Sequence, residues 1–324
     1  MRKSTLTTRL SFALACVLSA FLWSCNTSKE TDTVATESVF ALSNLVAWCI
    51  VPFDVKERGP VERAQMLKEL GITRLAYDWR EKHIPEFDEE IETLKKNNIA
   101  LQAFWLYSGP NPEDDPHLKI ILDVLERQKV KTEIWCMVGS IDNLDQMTQQ
   151  EKIEAHAKPI KYIAEKAAEI GCKVGLYNHG GWYGEPENQL ALIDYLKMDN
   201  LGIVYNFHHA KEHIERFPTF FPKIQPYLLS LNLAGLQKGN PVKVVPIGQG
   251  DAEQEMMQIV QQSGYKGPIG IINEDTAPDA KVGLSMNIEG LQDVLVALED
   301  SAALKTYRQH SSGSKKAAVA SSKN

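Results

Sequence analysis

The chain is poor in cysteine, and what there is does not pair. Of its five cysteines, Cys16 lies in an apolar N-terminal run and Cys25 just after it, while Cys49, Cys136 and Cys172 are scattered without Cys-x-x-Cys spacing. That argues against a disulfide framework and leaves the last three as small buried hydrophobes. Positive charge is also scarce away from the ends. Arg2, Lys3 and Arg9 lead the chain, and Lys305, Arg308, Lys315, Lys316 and Lys323 close it, with no acid among the first 25 or the last twenty residues. Setting aside those three and five cations takes the formal −7 to about −15 for the body. With no basic patch in sight, nucleic acid and anionic membrane surfaces are excluded as partners. No Gly-rich first turn marks a doubly wound nucleotide fold, and neither an internal repeat nor a second domain is visible.

What is present begins with an export signal. "MRKSTLTTR" is basic and "LSFALACVLSAFLW" apolar, shorter than the roughly 20 residues of a spanning helix. "LWSC", ending at Cys25, resembles the lipobox of bacterial lipoproteins. The expected organisation is a signal peptide over 1–25, a polar tether over 26–43, a globular body over 44–304 and a disordered tail over 305–324. The expected location is outside the cytoplasm, periplasmic or at the cell surface, with the membrane touched only through a lipid on Cys25.

Within the body, short β-rich runs alternate with helical patterns. The runs are 45–51, 74–79, 100–107, 132–138, 173–178, 201–206, 227–233 and 268–273. Eight such units, the last followed by a helix over about 287–304, give the count of a single-domain (β/α)8 TIM barrel. Asp251 reads as a helix cap, with Gln254 three places on and Gly264 as terminator.

Catalytic groups of such a barrel sit where strands end. Those positions hold Asp78, Trp79 and Arg80; Trp105 and Tyr107; Asn178, His179 and Trp182; Asn206, His208 and His209; Asn232; Gln249; and Asn273, Glu274 and Asp275. Aromatic faces beside amide and imidazole edges suit a sugar, which offers C–H faces to stack and hydroxyls to bond. Each also has a plainer reading: Asn ends strands, the Gly180–Gly181 pair permits a sharp turn, and Glu185-Pro186-Glu187 starts a helix. His83 and His213 read as surface groups.

"VGLYNHGGWYGEPENQ", "GIVYNFHHAK", "SLNLAGL" and "PIGQGD…SGYKGPIGI" resemble the sugar phosphate isomerase/epimerase group of xylose-isomerase-like TIM barrels over about 44–304. The resemblance implies a divalent metal held by Glu, Asp, His and Glu at the ends of strands 5 to 8, and proton movement beside a carbonyl. Here those positions hold Tyr177 or Asn178, Asn206, Asn232, and Asn273 or Glu274; the His of the family's Asp-x-x-His motif is retained as His209. Neutral amides remove the charge that Mg²⁺ or Mn²⁺ needs, although His179, His209 and Glu274 could hold Zn²⁺ or Co²⁺. The metal, weak or absent, stays open. The expectation is an isomerase- or epimerase-like enzyme, or a keto-sugar lyase or hydratase, acting on a free sugar. His179, His209 and Glu274 would move protons, and Asn178, Asn206, Asn232, Gln249, Arg80, Trp105 and Trp182 would bind substrate. A sugar-binding lipoprotein without catalysis is the alternative; the nuclease branch of the same barrels needs a cluster of zinc-binding His, Asp and Glu and a basic track, whereas here the cluster is thin and the body acidic.

Overall fold

A computed structural model describes residues 37–274 and 276–321, with side chains to 312. Strands β1 (Leu45–Trp48), β2 (Arg74–Tyr77), β3 (Ala100–Ser108), β4 (Glu133–Val138), β5 (Lys173–Tyr177), β6 (Leu201–Asn206) and β7 (Leu228–Leu233) precede a small antiparallel hairpin, β8 (Gly235–Gln237) and β9 (Lys243–Val245). The last barrel strand is β10 (Ile269–Ile272). Around the ring the order is β1-β10-β7-β6-β5-β4-β3-β2, all parallel, and β1 closes on β2. Strands such as β1, β6 and β10 are buried at every position, as expected of a parallel sheet covered on both faces.

The helices are α1 (Pro60–Leu70), α2 (Phe87–Lys96), α3 (Pro116–Arg127), α4 (Gln149–Glu169), the one-turn α5 (Gly181–Gly184), α6 (Pro186–Leu196), α7 (Phe217–Ile224), α8 (Glu253–Gln262), α9 (Ala280–Ala297) and α10 (Ser301–Ser321). Their ends follow local chemistry. Three acids open α2 and two lysines close it, complementing its dipole. Thr148 and Glu151 form a reciprocal capping box on α4. Pro186 occupies the first turn of α6, as expected from the sequence. Asp251, however, does not cap α8. Its carboxylate accepts the Lys238 N–H of the hairpin, and the buried Glu253 instead gathers the N–H groups of Leu236, Gly248 and Gly250.

Both boundaries of the body move outward. Residues 38–43, expected in the tether, close the N-terminal end of the barrel: Phe40 and Ala41 are buried, and Asn44 donates to the carbonyls of Val39 and Gly267. Residues 305–312, expected in an unstructured tail, belong to α10. The buried Tyr307 donates to the Phe40 carbonyl, and the Thr306 hydroxyl accepts the Leu42 N–H. The final helical pattern also starts earlier than expected, at Ala280 rather than near 287. The signal segment, Cys25 and Asp275 lie outside the described residues. No helix among the described residues is long and apolar enough to cross a membrane.

Candidate active site

The barrel's centre is filled with rings. Trp48 lies 4.9 Å from Trp135 and 5.8 Å from both Trp105 and Tyr177, centroid to centroid, and Trp105 lies 5.0 Å from Tyr177. The buried indole N–H of Trp48 donates to the Tyr177 hydroxyl at 2.8 Å, so even the polar tips of the plug are satisfied. Asn232 of β7 is accommodated by a glycine on the neighbouring strand β10. A Cβ at Gly270 would run into the side-chain oxygen of Asn232.

Above the plug, on the β5–β6 side, amides bind one another. Asn178 accepts the Asn206 N–H at 2.7 Å and donates to the Asn206 carbonyl at 3.1 Å. Asn206 donates to the Tyr177 hydroxyl at 2.5 Å and accepts the His208 N–H at 3.0 Å. Burial pushes the Tyr177 phenol well above its ordinary pKa, so it stays neutral. These are two of the four positions at which the resemblance places metal ligands; Asn232, fully buried, and Asn273 or Glu274 hold the other two. A hard divalent ion requires anionic or uncommitted oxygens, and this belt offers neutral groups already bonded to each other. The residues present do not fit such an ion. His179, His209 and Glu274 do not replace them: no group of three His, Cys, Asp or Glu among the described residues is placed to hold one metal.

Next to the belt, a cavity of about 90 Å³ is lined by Trp48, Cys49, Phe53, Asp78, Arg80, Trp105, Tyr177, His179, His209 and Glu274. Several sequence expectations therefore meet in one place, at the C-terminal ends of β1, β2, β3, β5, β6 and β10. His179 reaches it because Gly180 and Gly181, both left-handed (φ 71° and 62°), turn the chain sharply after β5. His209 reaches it from a 3-10 turn after β6, with its ring 4.3 Å from that of His179. Burial first, and the neighbouring His179 and His208 next, push the His209 imidazolium down to about 3, so at neutral pH His209 is an uncharged imidazole. Glu274 accepts the Cys49 thiol at 3.7 Å. Cys49 itself sits at φ 53°, an unusual region for a residue with a side chain. Burial, with Asp78 and Glu274 adding to it, holds this thiol well above its ordinary pKa, which makes it a hydrogen-bonding group and not a thiolate nucleophile.

A second cavity, of about 410 Å³, shares Arg80, Trp105 and His179 with the first and adds Trp79, Glu81, Tyr107, His117 and Met137. Small-molecule sites span roughly 300–1,000 Å³. The inner cavity is too small alone; the pair is not. A larger hollow of about 620 Å³ lies between the loops after β1 and β10. Its carboxylates are paired, Asp54 with Arg58 and Glu57 with Lys82, so the chemically free groups converge in the smaller space.

Other expected site residues lie elsewhere. Trp182 stacks on His156 of α4 at 4.6 Å and donates to Gln149, which ties it to the barrel's outer layer. Gln249 is exposed on the loop before α8 and lines neither cavity. Asn178 turns its side-chain amide to the backbone of Asn206, whose own side chain is taken up by the Tyr177 hydroxyl and the His208 N–H. Asn232 is fully buried over Gly270. His83 and His213, expected at the surface, are 8% and 5% exposed. His83 accepts the Arg80 N–H, and His213 joins Tyr205 to Glu185. Sequence reasoning passed over Trp48, Cys49 and Phe53 as site residues. Trp48 and Cys49 end the first strand, which is the signal that could have found them.

A closed ring of eight parallel strands with its polar groups gathered at the C-terminal ends defines a (β/α)8 barrel carrying its site at the usual face. The chain belongs to the xylose isomerase-like TIM barrel family, whose model matches residues 62–289. No curated protein matches the sequence. Solved structures with similar folds include the probable 3-DHS dehydratase AsbF of Bacillus anthracis (16% identity, TM-score 0.60, covering 76% of this chain and 98% of that one). The 3-keto-D-glucoside 4-epimerase of E. coli is similar at 12% identity and TM-score 0.57, covering 80% and 99%. The IOLI protein with a bound zinc atom is similar at 13% and 0.60, covering 78% and 98%.

Proposed function

We propose that this protein is a sugar-modifying enzyme that moves a proton next to a carbonyl, as an epimerase, isomerase or dehydratase would, on a non-phosphorylated keto-sugar or glycoside. One observation carries the reading. A small cavity holding two imidazoles and two carboxyl groups shares Arg80, Trp105 and His179 with an adjoining cleft lined by Trp79, Trp105, Tyr107 and Met137. The reacting carbon would enter the inner cavity, and the rest of the sugar would lie against the aromatic wall. The named activities of the epimerase and dehydratase with this fold support the reading by analogy.

In this reading His179, on the exposed side of the cavity, takes the proton, and Glu274 assists. Neutral His209 orients a sugar hydroxyl, since an imidazole with so low a pKa is a poor proton acceptor at neutral pH. Among the described residues, Arg80 is the one lysine or arginine lining the two adjoining cavities, and its Nη1 donates to the carbonyls of Asp78 and Trp79. That is not a phosphate clamp, and it favours an uncharged sugar. We also propose that the chain is exported and anchored through a lipid on Cys25, from the basic start, the apolar run and the "LWSC" that follows.

The test is solvent-deuterium exchange into keto-sugars by wild type and His179→Ala. Exchange by wild type and a rate lower by about 10²–10⁴ in the variant is expected for loss of a general base. Equal rates would remove His179 from the chemistry. A second reading, a sugar-binding protein without catalysis, draws on the self-bonded amides at the family's ligand positions. Tight sugar binding with no exchange at any pH would establish it.

A further inference from the structure

Asp78 is the group in the inner cavity that the reading above leaves without a task. It ends β2 at 2% exposure, and its Oδ1 accepts the Val51 N–H at 3.3 Å. Oδ2 is buried with no partner. A buried carboxyl oxygen left open beside a cavity is costly unless something fills the vacancy. Arg80 could have supplied a hydrogen bond two residues away. Instead its guanidinium donates to the Asp78 and Trp79 carbonyls and lies 5.8 Å from the Phe53 ring. Asp78 thus lines the inner cavity with one carboxyl oxygen bonded and the other uncommitted.

We propose that Asp78 is the acid of this site: its Oδ2–H protonates the carbonyl oxygen of the bound sugar while His179 removes the proton from the neighbouring carbon. The inference rests on the proposed function and deepens it. The C–H bond breaks toward the base, and its electron pair becomes the C=C of an enediol. The carbonyl π pair takes the proton from Oδ2, leaving Asp78 as a carboxylate. Return of the proton to Asp78, with delivery of the other to carbon, completes an epimerisation or isomerisation, with no oxidant or co-reactant. The carboxylate formed midway is supported by the Val51 N–H and by the charges of Arg80 and Arg63. The other titratable groups around it are the Cys49 thiol, His179, His209 and Glu274 in the same cavity, and the Tyr77 phenol and Glu90, which is ion-paired with Arg63. Desolvation outweighs the two arginines and pushes Asp78 up to about 7, so the acid form is available near neutrality. A neutral carboxyl that donates to a developing oxyanion is a recognised means of stabilising it.

The experiment uses the full chain, wild type and Asp78→Asn, with a methyl 3-keto-glucoside as probe. Infrared difference spectra taken on either side of the Asp78 pKa of about 7 read the protonated-carboxyl stretch without requiring turnover. Deuterium exchange and probe binding are measured separately. Expected are a protonated-carboxyl band in wild type that is missing in Asp78→Asn, and exchange about 10²-fold or more slower in the variant with binding little changed. Circular dichroism checks that the variant folds, and Asp78→Ser supplies the same subtraction if it does not, since burial also pushes Glu90 and Glu133 up to about 7 and only the difference from a variant assigns the band to Asp78. No protonated-carboxyl band lost between wild type and variant, or wild-type exchange rates in Asp78→Asn, would overturn the assignment. If wild type itself fails to exchange the probe, the proposed function falls and the acid role falls with it. The infrared result distinguishes that failure from an error about Asp78, because it shows the carboxyl's state regardless of substrate.

Discussion

Two arcs of the barrel mouth carry polar residues at similar depth, and they treat them in opposite ways. On the β5–β6 arc, Tyr177, Asn178 and Asn206 bond to one another and to Trp48. On the β1–β2–β10 arc, Asp78 keeps a buried oxygen without a partner, and Cys49 reaches Glu274 only at the long distance of a thiol contact. A satisfied buried network stiffens a structure, whereas an unsatisfied one costs stability and is kept where it serves a ligand. Two of the four metal positions that the resemblance implies fall on the first arc, which also carries His179 and His209, and a third, Asn273 or Glu274, falls on the second beside Cys49 and Asp78. The lesson is that polar groups at one depth of a barrel mouth can be committed to each other on one side and left open on the other.

Substitutions can separate the arcs. The largest expected effect on stability is from Asn178→Ala, which leaves the N–H and the carbonyl of Asn206 buried without partners. At about 1–3 kcal/mol for each such group, urea unfolding should show a loss of about 2–5 kcal/mol. Asp78→Asn, by contrast, should leave stability at neutral pH unchanged or raised while removing activity. If the two variants lose equal stability, the contrast between the arcs is wrong.

The pH dependence of stability should differ in sign between the two sides. Asp78 has a folded pKa raised from 3.8 to about 7, so the folded state holds the extra proton between those values. Stability from this group is full below the unfolded pKa and declines as pH rises toward 7. His209 has a folded pKa depressed from 6.5 to about 3. Its contribution is full above 6.5 and declines as pH falls toward 3. Denaturation series should therefore show a shallower decline as pH rises from 3.8 to about 7 in Asp78→Asn than in wild type, and a shallower decline as pH falls from 6.5 to about 3 in His209→Gln. Parallel curves for variant and wild type would refute the corresponding burial argument.

The smallest expected effect is at the outer wall. Tyr107 is 54% exposed and contributes a ring face to the larger cavity. Tyr107→Ala should leave unfolding unchanged and weaken sugar binding by about 0.5–1.5 kcal/mol, the usual worth of an aromatic contact beyond its area. Calorimetric titration checks it.

All eight barrel strands were legible in the sequence, because short apolar runs buried on both faces have no other good home. The hairpin β8–β9 was not: "GLQKGNPVKVV" carries Gly, Pro and Lys, which read as loop, and its pairing is short. Convergence of His179, His209, Glu274, Arg80 and Trp105 followed from their places at strand ends. The roles of Asn178, Asn206 and Trp182 did not, since whether an amide faces a ligand or another amide is decided by partners some 28 residues away. Asp78 was visible as a strand-end acid, but its open oxygen and raised pKa exist only once the barrel closes around it. The end segments misled for a similar reason. Tyr307 lies among polar residues in sequence, yet in space it is buried and donates to the carbonyl of the buried Phe40.

The most direct test is deuterium exchange into a keto-sugar by wild-type protein dialysed against a chelator, repeated after adding Zn²⁺ or Co²⁺. The account predicts exchange that survives chelation, is not increased by either metal, and follows the ionisation of Asp78 near 7. Exchange that vanishes with the chelator and returns with the metal would contradict it.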